Sequence, residues 1–204
     1  MEKQTNLQVY SNDKNFALAQ RIAQSLMASN LVPKEYQNNM PNTLIALEMA
    51  GRIGASPLMV MQHLNIIHGK PSWSSTFIIS AINSCGRFDP LQYELENEGN
   101  AETMRCRALA KNKQGEILLG PWVSMEMAKR EGWISKNGSK WQTMPELMIR
   151  YRAAAFWGRL YSPEITMGMQ TVEEVVDIIH EEIKTEEVEK NKTLFDDLIA
   201  EPIE

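Results

Sequence analysis

KWQTMPELMIRYRAAAFWGRLYSPE, residues 140–164, is the stretch on which the rest of the chain turns. From a cap at Thr143 it has the spacing of an amphipathic helix, yet Arg150, Arg152 and Arg159 sit among small residues and aromatics. Arg152 and Arg159 are seven positions apart, so they share one stripe two turns apart. Ala153, Ala154, Ala155 and Gly158 leave the helix slim, so that something can approach it closely. One reading gives the arginines a polyanion to neutralise. The other places Tyr151, Phe156 and Trp157 in the core and pairs the arginines with Glu146 and Glu164. The expectation is core for the aromatics and a polyanion for the arginines.

Charge along the chain favours a polyanion. The 204 residues carry a formal charge of −5, with 43% hydrophobic and 23% charged residues, an ordinary composition for one sizeable core and an appendage. Residues 173–204 hold 12 acidic and 3 basic side chains, whereas the remainder holds 18 basic and 14 acidic. Within Ala101–Arg159 the balance is 11 basic to 5 acidic. A basic middle joined to an acidic end suggests an anionic partner for the first and autoinhibition or a protein partner for the second. No apolar run reaches the roughly 18 residues of a membrane span, and the start is polar and unlike a signal peptide, so a cytoplasmic protein without a membrane partner is expected. Cys85 and Cys106 lack metal-ligand spacing and read as reduced thiols.

The periodicities predict helices, a small antiparallel meander, then helices again. Asp13 caps a first helix with an apolar stripe from Phe16 to Met27, and a second runs from about Thr43 to Ile53, ending near Gly54. Ser56 and Pro57 open a third. LNIIHGKPSW reads as a hairpin, SSTFIISAINSCGRF as a helix, and LQYELENEG, ETMRCRALAKN and EILLGPW as three strands. On the second strand Met104, Cys106 and Ala108 point one way and Arg105 and Arg107 the other. Ser124–Arg130 is a short helix and ISKNGSKWQ a polar loop. At Thr171, T-V-E-E is a capping box for a long final helix. The fold class is therefore α+β: hairpins and a meander packed with helices, with a long C-terminal helix and an acidic tail. The chain divides into an N-terminal helical segment (1–30), a core (31–180) and a tail (181–204).

Catalytic patterns are weak. His63, His68 and His180 are scattered, and HGKPS lacks the earlier glycine of a phosphate loop and has proline where that loop must enter a helix. Asp89, Glu94, Glu96 and Glu98 have the composition of a metal-dependent nuclease site, but the three glutamates alternate as the wet face of a strand does. A non-enzyme is expected, with no metal site and no catalytic residues.

Basic residues interleaved with aromatics and glycine recur in GKPSW, RCRALAKNKQG, SKNGSKW and RYRAAAFWGR. That is the composition of a single-strand groove, in which cations neutralise phosphates and flat side chains stack on unpaired bases. Lys70 and Trp73 come from the first segment, Arg105, Arg107, Lys111 and Lys113 from the second, Lys140 and Trp141 from the third, and Arg150, Arg152 and Arg159 from the fourth. GASPLMVMQHLNIIHGKPSWSSTFIISAINSCGRF, WQTMPELMIRYRAAAFWGRLYSPE and the following GMQTVEEVVD together resemble the RecT family of phage and prophage recombinases, over roughly Leu31–Asp177. The resemblance implies ATP-independent annealing of single-stranded DNA in homologous recombination, with no cofactor beyond an Mg²⁺ effect on the DNA. It also implies rings or helical filaments of the chain on a strand or an annealed duplex, and an exonuclease partner. By position, Arg150, Arg152 and Arg159 fall on that family's basic helix, and Arg105, Arg107, Lys111 and Lys113 on its strand-and-turn region. The chain departs from the family in being short and acidic at its end. TLFDDLIAEPIE mixes acid with Leu, Phe and Ile, suiting a host single-strand-binding protein or the chain's own groove, or serving only as a solubilising tail. The alternatives are a passive protector of single strands and a small metal-dependent nuclease of the same pathway. On the annealing reading the guanidinium groups of the meander and of the helix after it are expected to line a cationic furrow open to solvent, so that Arg152→Glu with Arg159→Glu abolishes binding in a folded protein.

Overall fold

A computed structural model describes residues 9–67, 69–135 and 137–177; His68, His180, most of the expected final helix and the acidic tail lie outside them. Helix α1 (Asp13–Met27) is capped not by Asp13 but by Asn12, whose side chain accepts the Asn15 N–H at 2.9 Å. Asp13 instead occupies the first turn, where a carboxylate favours the helix dipole. Helix α2 (Met40–Ile53) begins three residues ahead of Thr43 because Asn39 caps it and Pro41 fits its first turn. It ends at Gly54, whose φ of 67° is the left-handed conformation that closes a helix. Helix α3 (Pro57–His63) leads into the expected hairpin, β1 (Leu64–Ile67) and β2 (Lys70–Trp73), with Leu64 opposite Trp73. Ser74 then caps α4 (Ser75–Ser84), accepting the Phe77 N–H at 3.2 Å.

The meander follows as β3 (Gln92–Glu96), β4 (Arg105–Lys111) and β5 (Ile117–Leu119), antiparallel in that order. A two-residue strand not anticipated from the sequence, β6 (Val123–Ser124), also pairs with β4, setting Val123 opposite Cys106. Helix α5 (Met125–Arg130) is capped by Ser124. The stretch expected to be a polar loop contains a helical turn, α6 (Lys140–Thr143), capped by Ser139. Helix α7 (Pro145–Tyr161) is consequently not capped by Thr143: Met144 precedes it with no side-chain cap, and Pro145 holds the first helical position. Helix α8 (Pro163–Thr166) follows a break at Ser162, and residues 172–177 are helical. The T-V-E-E box forms as expected: Glu174 N–H donates to Thr171 Oγ1 at 3.2 Å, and Thr171 N–H to Glu174 Oε2 at 2.9 Å. The architecture is α+β. Among the described residues no single helix is long and apolar enough to cross a membrane; the apolar pair α2 and α3 is bent by 111°.

Helix α7 is the central post. One side packs on the inner face of β4, where Cys106, Ala108 and Ala110 are buried, and the other on α4. Met148, Ile149, Arg152, Ala153, Ala154, Ala155, Trp157 and Gly158 are all buried, so the middle of the helix has almost no wet side. Its small residues admit not a ligand but the protein's own neighbours. A Cβ on Gly158 would meet Ile82 of α4 at 3.1 Å, and one on Gly120 would meet the Ala108 carbonyl at 2.9 Å and Trp157 at 3.2 Å. Trp157 Nε1 donates to Leu118 O at 2.9 Å and the Tyr161 hydroxyl to Leu119 O at 2.8 Å, so the helix is hydrogen-bonded to β5 as well. Trp157 is fully buried and Tyr151 and Phe156 partly so, as the sequence reading has it. Both cysteines are free, and burial pushes the Cys106 thiol up to about 11. A smaller core, Val9, Ala19, Ala23, Leu44 and Leu47, joins α1 to α2.

Gly120 meets backbone, which yields less readily than a side chain. Gly120→Ala should therefore lower stability by about 1–3 kcal/mol, read as a drop in urea midpoint at unchanged m-value.

Candidate nucleic-acid interface

The basic residues separate into two groups with different fates. The first is on α7. Arg152 is only 6% exposed, and its guanidinium lies 2.5 Å from Asp177, 3.9 Å from Glu174 and 3.8 Å from the centre of the Trp133 ring. Arg159 makes a two-pronged pair with Glu174, at 2.7 and 2.6 Å. Two arginines and two carboxylates thus form a neutral, mostly buried cluster, closed over by residues 171–177. Burial pushes the Arg152 pKa down, and Glu174 and Asp177 pull it only part of the way back. Burial alone would raise the Glu174 carboxyl, but hydrogen bonds and charge from Arg159, the Arg152 charge and the Thr171 N–H overcome it and hold the group below the usual carboxylate range.

Residues expected to stack on bases meet the same end. Trp141 is 1% exposed, tilted against Trp133, with its indole N–H 3.4 Å from Asp177. Trp73 is fully buried and stacked on Phe77 with ring centres 4.4 Å apart; its indole N–H is the one buried side-chain polar atom without a hydrogen bond among the described residues. Neither indole has a face to offer. Arg152, Trp141 and Trp73 therefore leave the candidate interface, because the core claims them. Arg150 stays at the surface, bonded to the Glu146 carbonyl at 3.1 Å and close to Glu98 at 3.4 Å and the Glu146 carboxylate at 3.7 Å. The pairing with Glu146 that belonged to the alternative reading forms, whereas Glu164 pairs with Arg87 instead. Lys70 and Lys140 are exposed, on the hairpin and at the start of α6, away from the sheet strands in the chain.

The second group is on the sheet. Register and alternation put Arg105, Arg107, Leu109 and Lys111 of β4 on the face turned away from α7, beside Glu94 and Glu96 of β3 and Ile117 and Leu119 of β5. Arg107 pairs with Glu94 at 2.6 Å and Arg105 with Glu96 at 2.6 Å. Both guanidinium groups also lie on the Trp122 ring, each 4.6 Å from its centre. Arginine on indole is a weak attraction at an exposed site, and it gathers two guanidinium groups and an indole on one surface. Sequence reading missed Trp122. Its signal was the alternation of W-V-S: with Val123 facing inward and Ser124 committed to capping α5, Trp122 must face outward.

A turn extends this surface. The Asn112 side chain accepts the Gln114 and Glu116 N–H groups, each at 3.0 Å, and Gly115 takes a φ of 84° that favours glycine. Lys111 and Lys113 flank Asn112, are exposed, and make no ion pair among the described residues. Ile117 and Leu119 beside them are 55% and 41% exposed. The face thus has a charged half with an indole and an apolar half edged by two lysines. No group of three or more His, Cys, Asp or Glu side chains among the described residues is arranged to hold a metal ion.

Buried charges left without partners are costly. Glu174→Ala should destabilise the protein by about 3–5 kcal/mol in chemical denaturation, whereas Lys113→Ala should stay within about 0.5 kcal/mol. Reversing Arg152 and Arg159 to glutamate would confront Glu174 and Asp177 with two more carboxylates, so the fold is lost along with any binding, contrary to the expectation from sequence. Because the folded-state pKa of Glu174 is depressed, its contribution is complete above the unfolded value of about 4.3 and fades as pH falls below it. A wild-type melting temperature that declines below about pH 4, with Glu174→Gln declining less over that interval, is the expected result. In comparison with known proteins, the chain matches no family model, no curated protein and no solved structure.

Proposed function

We propose that the chain binds single-stranded DNA without sequence preference and promotes annealing of complementary strands without ATP, as a self-assembling recombination protein. The observation that carries this reading is the outer face of the sheet, where Arg105 and Arg107 lie on Trp122 and the strand runs on to the exposed Lys111 and Lys113. Lys111 and Lys113, unpaired among the described residues, are the cations there that neutralise phosphates and release counterions. Arg105 and Arg107 do so only by exchanging Glu96 and Glu94 for a phosphate, and flat side chains offer surfaces to unpaired bases. The RecT-like segments support the same reading. The α7 half of the expected groove does not, since Arg152 is enclosed and the Arg159 guanidinium is held by Glu174. Lys70, Lys140 and Arg150 remain exposed or part-exposed cations that a strand could reach on its way past the sheet.

The mechanism needs no bond chemistry. Two single strands repel each other and fold on themselves; a surface that cancels backbone charge and holds a strand extended lowers both barriers, and base pairing drives the product. Copies side by side along the strand would make that surface continuous. An exonuclease that exposes the strand and a host single-strand-binding protein that it displaces are the partners this activity calls for. A passive protector would bind equally well but slow pairing.

Lys111→Gln with Lys113→Gln should weaken binding to a fluorescent oligo(dT) and make the salt dependence shallower by about 1.4 in log–log slope, at about 0.7 for each phosphate no longer neutralised. Trp122→Ala should cost about 1–3 kcal/mol of binding. Pairing of two labelled complementary oligonucleotides should be faster with wild-type protein than without it. Variants that remain folded and retain full affinity and salt slope would overturn the assignment of this face; slower pairing would favour the protector.

A further inference from the structure

The apolar half of the sheet's outer face, Leu109, Ile117 and Leu119, is exposed or half-exposed and bordered by Lys111 and Lys113. A surface of that kind takes an occupant that is both apolar and acidic. The ~450 Å³ cavity between α2, α3, α4 and α8 is another large concavity, but its charges are already satisfied: Arg52 pairs with Glu48 and Glu164 with Arg87. On the sheet, by contrast, Lys111 and Lys113 still await an anion among the described residues.

We infer that residues 193–204 of the same chain, TLFDDLIAEPIE, dock on this face, with Asp196 and Asp197 against Lys111 and Lys113 and the flanking apolar pairs against Leu109, Ile117 and Leu119. Three observations carry it. The segment sets Asp196–Asp197 between two apolar pairs, Leu194–Phe195 and Leu198–Ile199, and adds Glu201 and Glu204 with no basic residue. Side chains on one face of a strand repeat about every 6.6 Å, so Leu109 and Lys111, opposite Leu119 and Ile117, set an apolar cluster directly beside a cation unpaired among the described residues. Finally, the chain is long enough. Fifteen residues separate Asp177 from Thr193 and span up to about 50 Å when extended, while a core of this size has a radius of gyration of about 15 Å. Tethering holds the segment near its site at about millimolar effective concentration, so a weak contact is well populated.

Docking itself stands apart from the DNA reading; that it competes with a strand rests on that reading. The test begins with the full chain and a zero-length carbodiimide cross-linker at low salt, read by peptide mass spectrometry. The expected products join Lys111 or Lys113 to Asp196, Asp197, Glu201 or Glu204. They should weaken at least severalfold in 0.5 M salt and be lost in Asp196→Asn with Asp197→Asn. A mixture of ¹⁵N-labelled and unlabelled protein should give links within one chain only. Tail carboxylates linked to other lysines, no tail links, or links between chains would overturn the inference. The same tail variant is then titrated with oligo(dT). An affinity raised about tenfold at low salt supports competition; intact cross-links in the wild type with unchanged oligo(dT) affinity in the variant would leave docking standing and count against DNA on this face.

Discussion

The fold depends on the pairing of two arginines with two carboxylates where α7 meets residues 171–177. Removing such charges from water is expensive, and their mutual attraction repays it only when geometry and hydrogen bonding are nearly complete. Here they are: Glu174 takes both prongs of Arg159 and the Thr171 N–H, while Asp177 takes Arg152 and the Trp141 N–H. The same short stretch of chain also binds the other side of the molecule. The backbone N–H of Trp73 donates to Gln170 O at 3.1 Å, and the Ser75 hydroxyl to Glu173 at 2.7 Å. One cluster thus fixes α7, the hairpin and the start of α4 together.

Around that clamp, α7 acts as a spacer whose thinness sets the distance between sheet and helices. Ala153, Ala154, Ala155 and Gly158 bring the neighbouring layers close, and Trp157 fills the space next to Gly120. The consequence for function is a division of labour. The inner face of the sheet is spent on packing, so any recognition by this part of the molecule falls to its outer face, where Arg105, Arg107 and Trp122 stand on or beside short, well-paired strands. A rigid platform of this sort keeps flat groups aligned at little entropic cost.

Much of the fold was legible from local patterns. The hairpin, the alternation of β4, the Ser74 cap and the T-V-E-E box all follow from short-range rules, and each is present. The misses have physical reasons too. Asn12 and Asn39 compete as caps with the residues that follow them, and a one-turn helix at Lys140–Thr143 is too short to show a period. The site was harder. Arg152 and Arg105 look alike in sequence, each a cation two positions from another arginine, but one faces a carboxylate contributed from 25 residues away and the other a strand neighbour. No local spacing reports a partner so distant, and composition cannot tell a cation bound for solvent from one bound for a buried pair.

Of the protein's five tryptophans, Trp73, Trp133, Trp141 and Trp157 are sealed in the core, and Trp122 alone is half-exposed, in contact with the two arginines. The molecule therefore carries a built-in optical reporter at one known address. A dissolved quencher such as acrylamide reaches essentially a single indole, and whatever settles on the charged half of the sheet's outer surface, be it nucleotide, peptide or another copy, announces itself as shielding of that one chromophore.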